Sequence, residues 1–147
     1  MSTLQPLVYE FTVACSPDHA FTTWTTRMNG WWPKNHSTSG DPDMQVEMQG
    51  EVGGAIRERT SAGEVIEWGR VTRWEPPHVV AYTWFVGSAE ADATDVEVTF
   101  TEADGTTLVR LVHRGWDRRA DGEEWRERNG RGWSDVLPRF TEEVGQP

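Results

Sequence analysis

Few residues in this chain could do chemistry, and most of them stand alone. His19, His36, His78 and His113 are scattered, and no HExxH or CxxC spacing brings two metal ligands together. Neither a metal site nor a cofactor is expected. Gly53-Gly54 reads as a turn and not as a phosphate-binding loop. No GxSxG elbow is present, so a Ser-His-Asp triad would have to assemble in space. Lys34 is the single lysine, and any Schiff-base chemistry would have to use it. Cys15 is the single cysteine; it excludes an internal disulfide and reads as a small buried hydrophobe. Glu123-Glu124 and Glu142-Glu143 read as solvated helix faces, and Arg118-Arg119 as surface. Glu67 and Arg70 fall on opposite faces of one predicted strand, and either could point inward.

His113 remains. It ends the stretch Thr107–Trp116, TLVRLVHRGW, which reads as a long strand leaving through Gly115. Val109, Leu111 and His113 share one face at period two, and that face carries no charged side chain. The spacing therefore sends an imidazole toward the interior, beside Trp116. Burial would disfavour its charged form. The bland alternative is a core imidazole bonded to backbone or to a Trp. The nine tryptophans pose the same choice, between a very aromatic core and an aromatic-lined cavity.

Bulk properties narrow the classes. A chain of 147 residues fits one domain, 1–147, which can bury about 70% of its unfolded surface. A net charge of −10 argues against nucleic acid and against anionic membrane surfaces, because no basic field is available. The start lacks a signal-peptide pattern and no apolar run is long enough to span a bilayer, so a cytoplasmic protein is expected.

The elements that must position these residues follow from periodicity. Leu7–Cys15 alternates as a strand. Ser16-Pro17-Asp18 starts a helix, with Ser as N-cap and Pro in the first turn. Phe21, Trp24 and Met28 form its apolar stripe. Trp31-Trp32-Pro33 leads into a polar loop that could act as a lid, with at least one Trp capping the mouth of the core. Strands are predicted at Met44–Gln49, Ala55–Thr60, Val65–Trp74, Val79–Val86 and Thr94–Thr101, the last returning through Asp104-Gly105 into the His113 strand. Gly69 marks a bulge, a bend or a close backbone approach. From about Asp121 the chain reads as a helix with the stripe Trp125, Trp133, Val136, Leu137, Phe140 and Val144. A kink is predicted near Pro138, and Gly130 and Gly132 could admit a close neighbour. An antiparallel sheet then needs one face covered, and the last helix is the long amphipathic one.

The segments FTVACSPDHAFTTWT, WWP, GRVTRWEPPHVVAYTW, TDVEVTFTEADGTTLVRLVHRGW and GRGWSDVLPRF, in this order and spacing, resemble the START-like (SRPBCC) superfamily. The likeness is to its branch related to the activator of heat-shock-protein-90 ATPase and spans nearly the whole chain. It implies an α+β helix-grip fold, a curved antiparallel sheet wrapped around a long C-terminal helix. It also implies a cavity between sheet and helix that takes a small apolar or amphipathic ligand. Trp24, Trp31, Trp32, Tyr82, Trp84, His113, Trp116 and Trp133 are the residues expected to line it. The first function expected is ligand binding without established catalysis. One alternative is a cyclase- or hydrolase-type enzyme using His113. Another is a chaperone ATPase-regulating module, which the lone domain and single lysine argue against. A homodimer stays open.

Overall fold

The computed structural model describes residues 4–145; the ends of the 1–147 range expected for the domain lie outside the described residues. The strands are β1 (Leu7–Val13), β2 (Gln45–Met48), β3 (Ala55–Arg59), β4 (Val65–Glu75), β5 (Val79–Trp84), β6 (Thr94–Ala103) and β7 (Thr106–Arg114). They form one antiparallel sheet in the order β1-β7-β6-β5-β4-β3-β2. Two helices complete the fold: α1 (Pro17–Trp24) and α2 (Gly122–Val144). This is the expected α+β helix-grip arrangement, with α2 against the concave face of a curled sheet.

Local chemistry sets the elements. The Ser16 hydroxyl accepts from His19 N at 3.2 Å and caps α1. Asp104 and Gly105 both take positive φ (51° and 83°), the two-residue turn that pairs β6 with β7. Along β6, Val96, Val98 and Phe100 are buried and alternate with half-buried or exposed polar residues. The core lies between this face, with Val80, Tyr82, Val109 and Leu111, and the helical residues Phe21, Trp24, Val136 and Phe140.

Some expectations are sharpened by the structure and others are corrected. Register along β3 and β4 moves from Ile56↔Gly69 to Arg57↔Glu67, so Trp68 bulges from the pairing and buries its indole completely. Gly69 is the close approach: a Cβ there would stand 1.9 Å from the Thr83 carbonyl oxygen. The bulge also cancels the opposite-face reading of Glu67 and Arg70. They pair with each other at 2.7 Å, and neither lines a cavity. Pro138, where a kink is expected, lies within α2 on its exposed side, and the helix continues past it to Val144. Trp125 leaves the buried stripe and is half-buried at the rim of the cavity. Arg119 is not a surface residue. Its side chain is 5% exposed, stacked on the Trp125 ring at 4.2 Å and bonded to Ser88, Asp92 and Asp121. Cys15 is half-buried rather than buried, and partial burial pushes its thiol pKa up.

Candidate functional site

A cavity of about 300 Å³ opens between α2, the loop after Trp32 and the end of β5. Its size is at the lower end of the range for small-ligand pockets. Three indoles form the inner wall. The Trp32 and Trp84 rings lie 5.5 Å apart, and Trp133 lies 6.0 Å from each. Trp68 packs behind, 5.5 Å from Trp32 and 5.7 Å from Trp84. The mouth is polar. The loop contributes Asn35, His36 and Ser37, and α2 contributes Arg128, Arg131 and Asp135. His36 Nε2 stands 3.6 Å from an Asp135 carboxylate oxygen. Gly132 also borders the cavity, and a Cβ there would stand 3.8 Å from His36 Nδ1, in ordinary contact with the loop.

The wall is held by a chain of hydrogen bonds. Trp133 Nε1 donates to His113 Nδ1 at 3.0 Å. An indole nitrogen only donates, so Nδ1 is the bare acceptor and the His113 proton sits on Nε2. That nitrogen lies 2.6 Å from Thr94 Oγ1, whose hydroxyl donates to the Trp84 carbonyl at 3.3 Å. His113 is completely buried, and burial lowers its pKa to about 3. It therefore ties two of the three wall residues together as a neutral ring. Trp32 is fixed separately, its Nε1 donating to the His36 carbonyl at 2.7 Å. Trp84 differs. Among the described residues its indole N–H has no partner, while every fully buried polar side-chain atom has one, so this donor keeps solvent access.

A second buried polar group holds the loop. Glu58 is 0% exposed and accepts from Thr38 N at 2.6 Å, Ser39 Oγ at 2.6 Å and Trp68 Nε1 at 2.8 Å. Burial pushes its pKa up, but these hydrogen bonds outweigh it and leave the carboxyl below its usual range. Asp41 adds bonds from Ser61 N at 2.7 Å and Ser61 Oγ at 2.8 Å. The loop expected as a lid is thus pinned at both Ser39 and Asp41.

Of the residues singled out in the sequence, Trp32, Trp84 and Trp133 come together on the cavity. The others stand elsewhere. Trp24 is fully buried and donates to the Tyr82 hydroxyl at 3.1 Å. Trp31 is buried against Trp24 and Phe140, donating to the Thr23 carbonyl. His113 does not line the cavity, because both its ring nitrogens are engaged in the core. Trp116 packs 4.2 Å from His113 and touches only a minor void of about 10 Å³. Sequence reasoning passed over Glu58, His36 and the polar stripe of α2. A signal existed for two of them: Glu58 shares its strand face with Ile56, and Trp125, Arg128, Gly132 and Asp135 recur at helical spacing. Among the described residues no group of three or more His, Cys, Asp or Glu could hold a metal ion, and no helix is long and apolar enough to cross a membrane.

Residues 14–145 match the family described as Activator of Hsp90 ATPase homolog 1-like protein. The chain belongs to this family. No curated protein matches it significantly. Among solved structures, it is similar to an anthrahydroquino-γ-pyrone synthase, Txn09, complexed with SUM. The two are 30% identical, the match covers 95% of this chain and 97% of that one, and the TM-score is 0.67. The Aha1 dimer from Colwellia psychrerythraea shares the fold at 17% identity, 96% coverage of each chain and a TM-score of 0.71. CalU16 from Micromonospora echinospora does so at 19% identity, covering 97% of this chain and 76% of that one, with a TM-score of 0.69.

Proposed function

We propose that this member of the family binds a flat aromatic small molecule in the cavity beside α2. The observation that carries the reading is the wall of Trp32, Trp84 and Trp133 in a cavity whose mouth is polar. Indole faces favour a planar partner, and a few polar groups at the opening fix its orientation. The similarity to a synthase named for an anthrahydroquinone and a pyrone supports a ligand of that shape. The reading needs neither a chaperone nor a second copy of the chain. It is tested by tryptophan quenching with anthraquinone, comparing the native chain with Gly132→Leu, which adds a side chain to the cavity lining while keeping all three wall indoles. Saturable quenching that weakens at least tenfold in the variant is expected. Equal quenching in both proteins would place the ligand elsewhere.

One observation favours a second reading, an enzyme that moves a proton on the bound ligand. His36 lies at the mouth with its Nε2 3.6 Å from an Asp135 carboxylate oxygen, a pair that a shift of a few tenths of an ångström on ligand binding would close into a hydrogen bond orienting the imidazole as a base. His113, engaged on both nitrogens, has no part in it. Anthrone carries an acidic CH₂ on a tricyclic frame, so the test follows deuterium uptake at that carbon from D₂O under anaerobic conditions. Uptake accelerated by the native chain and lost in His36→Gln, with binding retained, would establish catalysis. Uptake at the protein-free rate would leave binding alone.

A further inference from the structure

Resting on the aromatic-ligand reading, we propose that the cavity mouth recognises an ionised oxygen on that ligand, so that the site takes hydroxylated aromatics as their phenolates. The ionisable side chains on the cavity are few. The loop presents His36, α2 presents Arg128, Arg131 and Asp135, and β5 presents none. The one carboxylate is turned toward His36 at 3.6 Å, whereas no carboxylate pairs with either arginine among the described residues. Two arginines thus border the opening in a chain whose overall charge is −10. The sign of the mouth is opposite to that of the whole.

The arginines are not equivalent. Arg128 is placed by stacking, its guanidinium 4.6 Å from the Trp125 ring centroid. The other face of Trp125 is held by the buried Arg119 at 4.2 Å, and the Trp125 N–H donates to Asp121 at 2.8 Å. Arg128 is therefore steadied by stacking on a Trp125 ring that is itself held by Arg119 and Asp121. Arg131 lies three residues further along α2, close to one turn, and borders the same opening. Trp84, which borders both this cavity and the minor void beside it, carries an N–H without a protein partner among the described residues. Two cations bordering an indole-walled opening suit a planar ligand that carries oxygen at its outer end. The guanidinium fork suits an oxyanion better than a neutral hydroxyl.

This proposal has a readout that a purely apolar pocket reverses. Moving a phenol into an apolar cavity raises its pKa, whereas a cation within a few ångströms lowers it by about one to three pH units. Alizarin is a planar dihydroxyanthraquinone whose visible band shifts on ionisation, the phenolic proton passing to the buffer. Bound to the native chain, it is expected to ionise at least about one pH unit below the free dye, at the low end of that range because both arginines are solvent-exposed. In Arg128→Gln/Arg131→Gln it should still quench the tryptophans but ionise above the free dye. Arg131→Gln alone leaves the Trp125 stack intact and should return part of the shift, which decides the matter if the double variant is damaged. Bound dye that ionises at or above the pH of free dye in the native chain would overturn the phenolate proposal while its quenching upheld the aromatic site. An undiminished shift in the variants would do the same. Absence of any quenching by alizarin would overturn both readings.

Discussion

The role assigned to His113 can be tested through stability and pH together. His113→Phe keeps a ring of similar breadth but removes two hydrogen bonds, from Trp133 Nε1 and to Thr94 Oγ1. The Trp133 N–H would be left buried without a partner, which costs about 1–3 kcal/mol. Thr94 keeps its bond to the Trp84 carbonyl, so its loss is about 1 kcal/mol. Near pH 7.5 the variant should therefore be less stable by about 2–4 kcal/mol. The gap should then close in acid. Burial holds the folded pKa of His113 at about 3, against an ordinary 6.5 in the unfolded chain. Between those values the unfolded chain carries a proton that the folded chain refuses, so the native protein loses about 1.4 kcal/mol per pH unit on this account. The Phe variant has no such group and every other titration is shared, so the difference isolates the imidazole. The two stabilities should become equal between about pH 5 and pH 3.6. Urea unfolding at pH 7.5, 6.0, 5.0 and 4.5, read by midpoint and slope, measures this directly. A gap that stays constant across that range would mean that His113 takes up its proton in the fold as readily as in the unfolded chain, and the hydrogen-bond chain from Trp133 to Trp84 would have to be redrawn.

Glu58→Gln replaces a carboxylate facing only donors with an amide that offers one acceptor, so stability should fall by about 2–4 kcal/mol. Amide exchange at Thr38 and Ser39 should accelerate; unchanged protection there would show that Glu58 does not hold the loop. Because its folded pKa is lowered, the Glu58 contribution is present above the ordinary carboxylate range and should fade as the pH falls through it. Val98→Asp puts a carboxylate at a position with 0% exposure under the helical layer and should cost several kcal/mol, about 4 or more; an unaltered thermal midpoint would refute the β6 register. Gly69→Ala meets the Thr83 carbonyl at 1.9 Å and should destabilise by about 2–3 kcal/mol, read by the same urea midpoints. Calorimetric titration with Hsp90 should give no micromolar binding, and stimulated ATP turnover would restore the cochaperone alternative.

What the sequence made legible was what depends on period alone. The alternation of Val96, Val98 and Phe100, the inward turn of His113 and the helical stripe from Trp133 to Val144 each follow from spacing within one element. What stayed hidden depends on events between elements. The bulge at Trp68 cannot be read from Val65–Glu75 by itself, because it is a mismatch with β3, and it reverses the side on which Arg70 emerges. Glu58 is flanked by arginines, yet the strand period gives it the face of Ile56 and turns the arginines away. Its burial becomes tolerable only once Trp68 and the Thr38–Ser39 backbone arrive to donate. The same logic separates the two aromatic populations. Trp24, Trp31 and Trp116 place their N–H groups on protein acceptors within the core, so they report packing. Trp32, Trp84 and Trp133 share a cavity only because the loop, β5 and α2 converge there, and Trp84 keeps a donor to spare. Composition counts all nine tryptophans alike; the wall indoles are set apart by the three elements that bring them to one opening, since Trp32 and Trp133 satisfy their N–H groups as fully as the core indoles do.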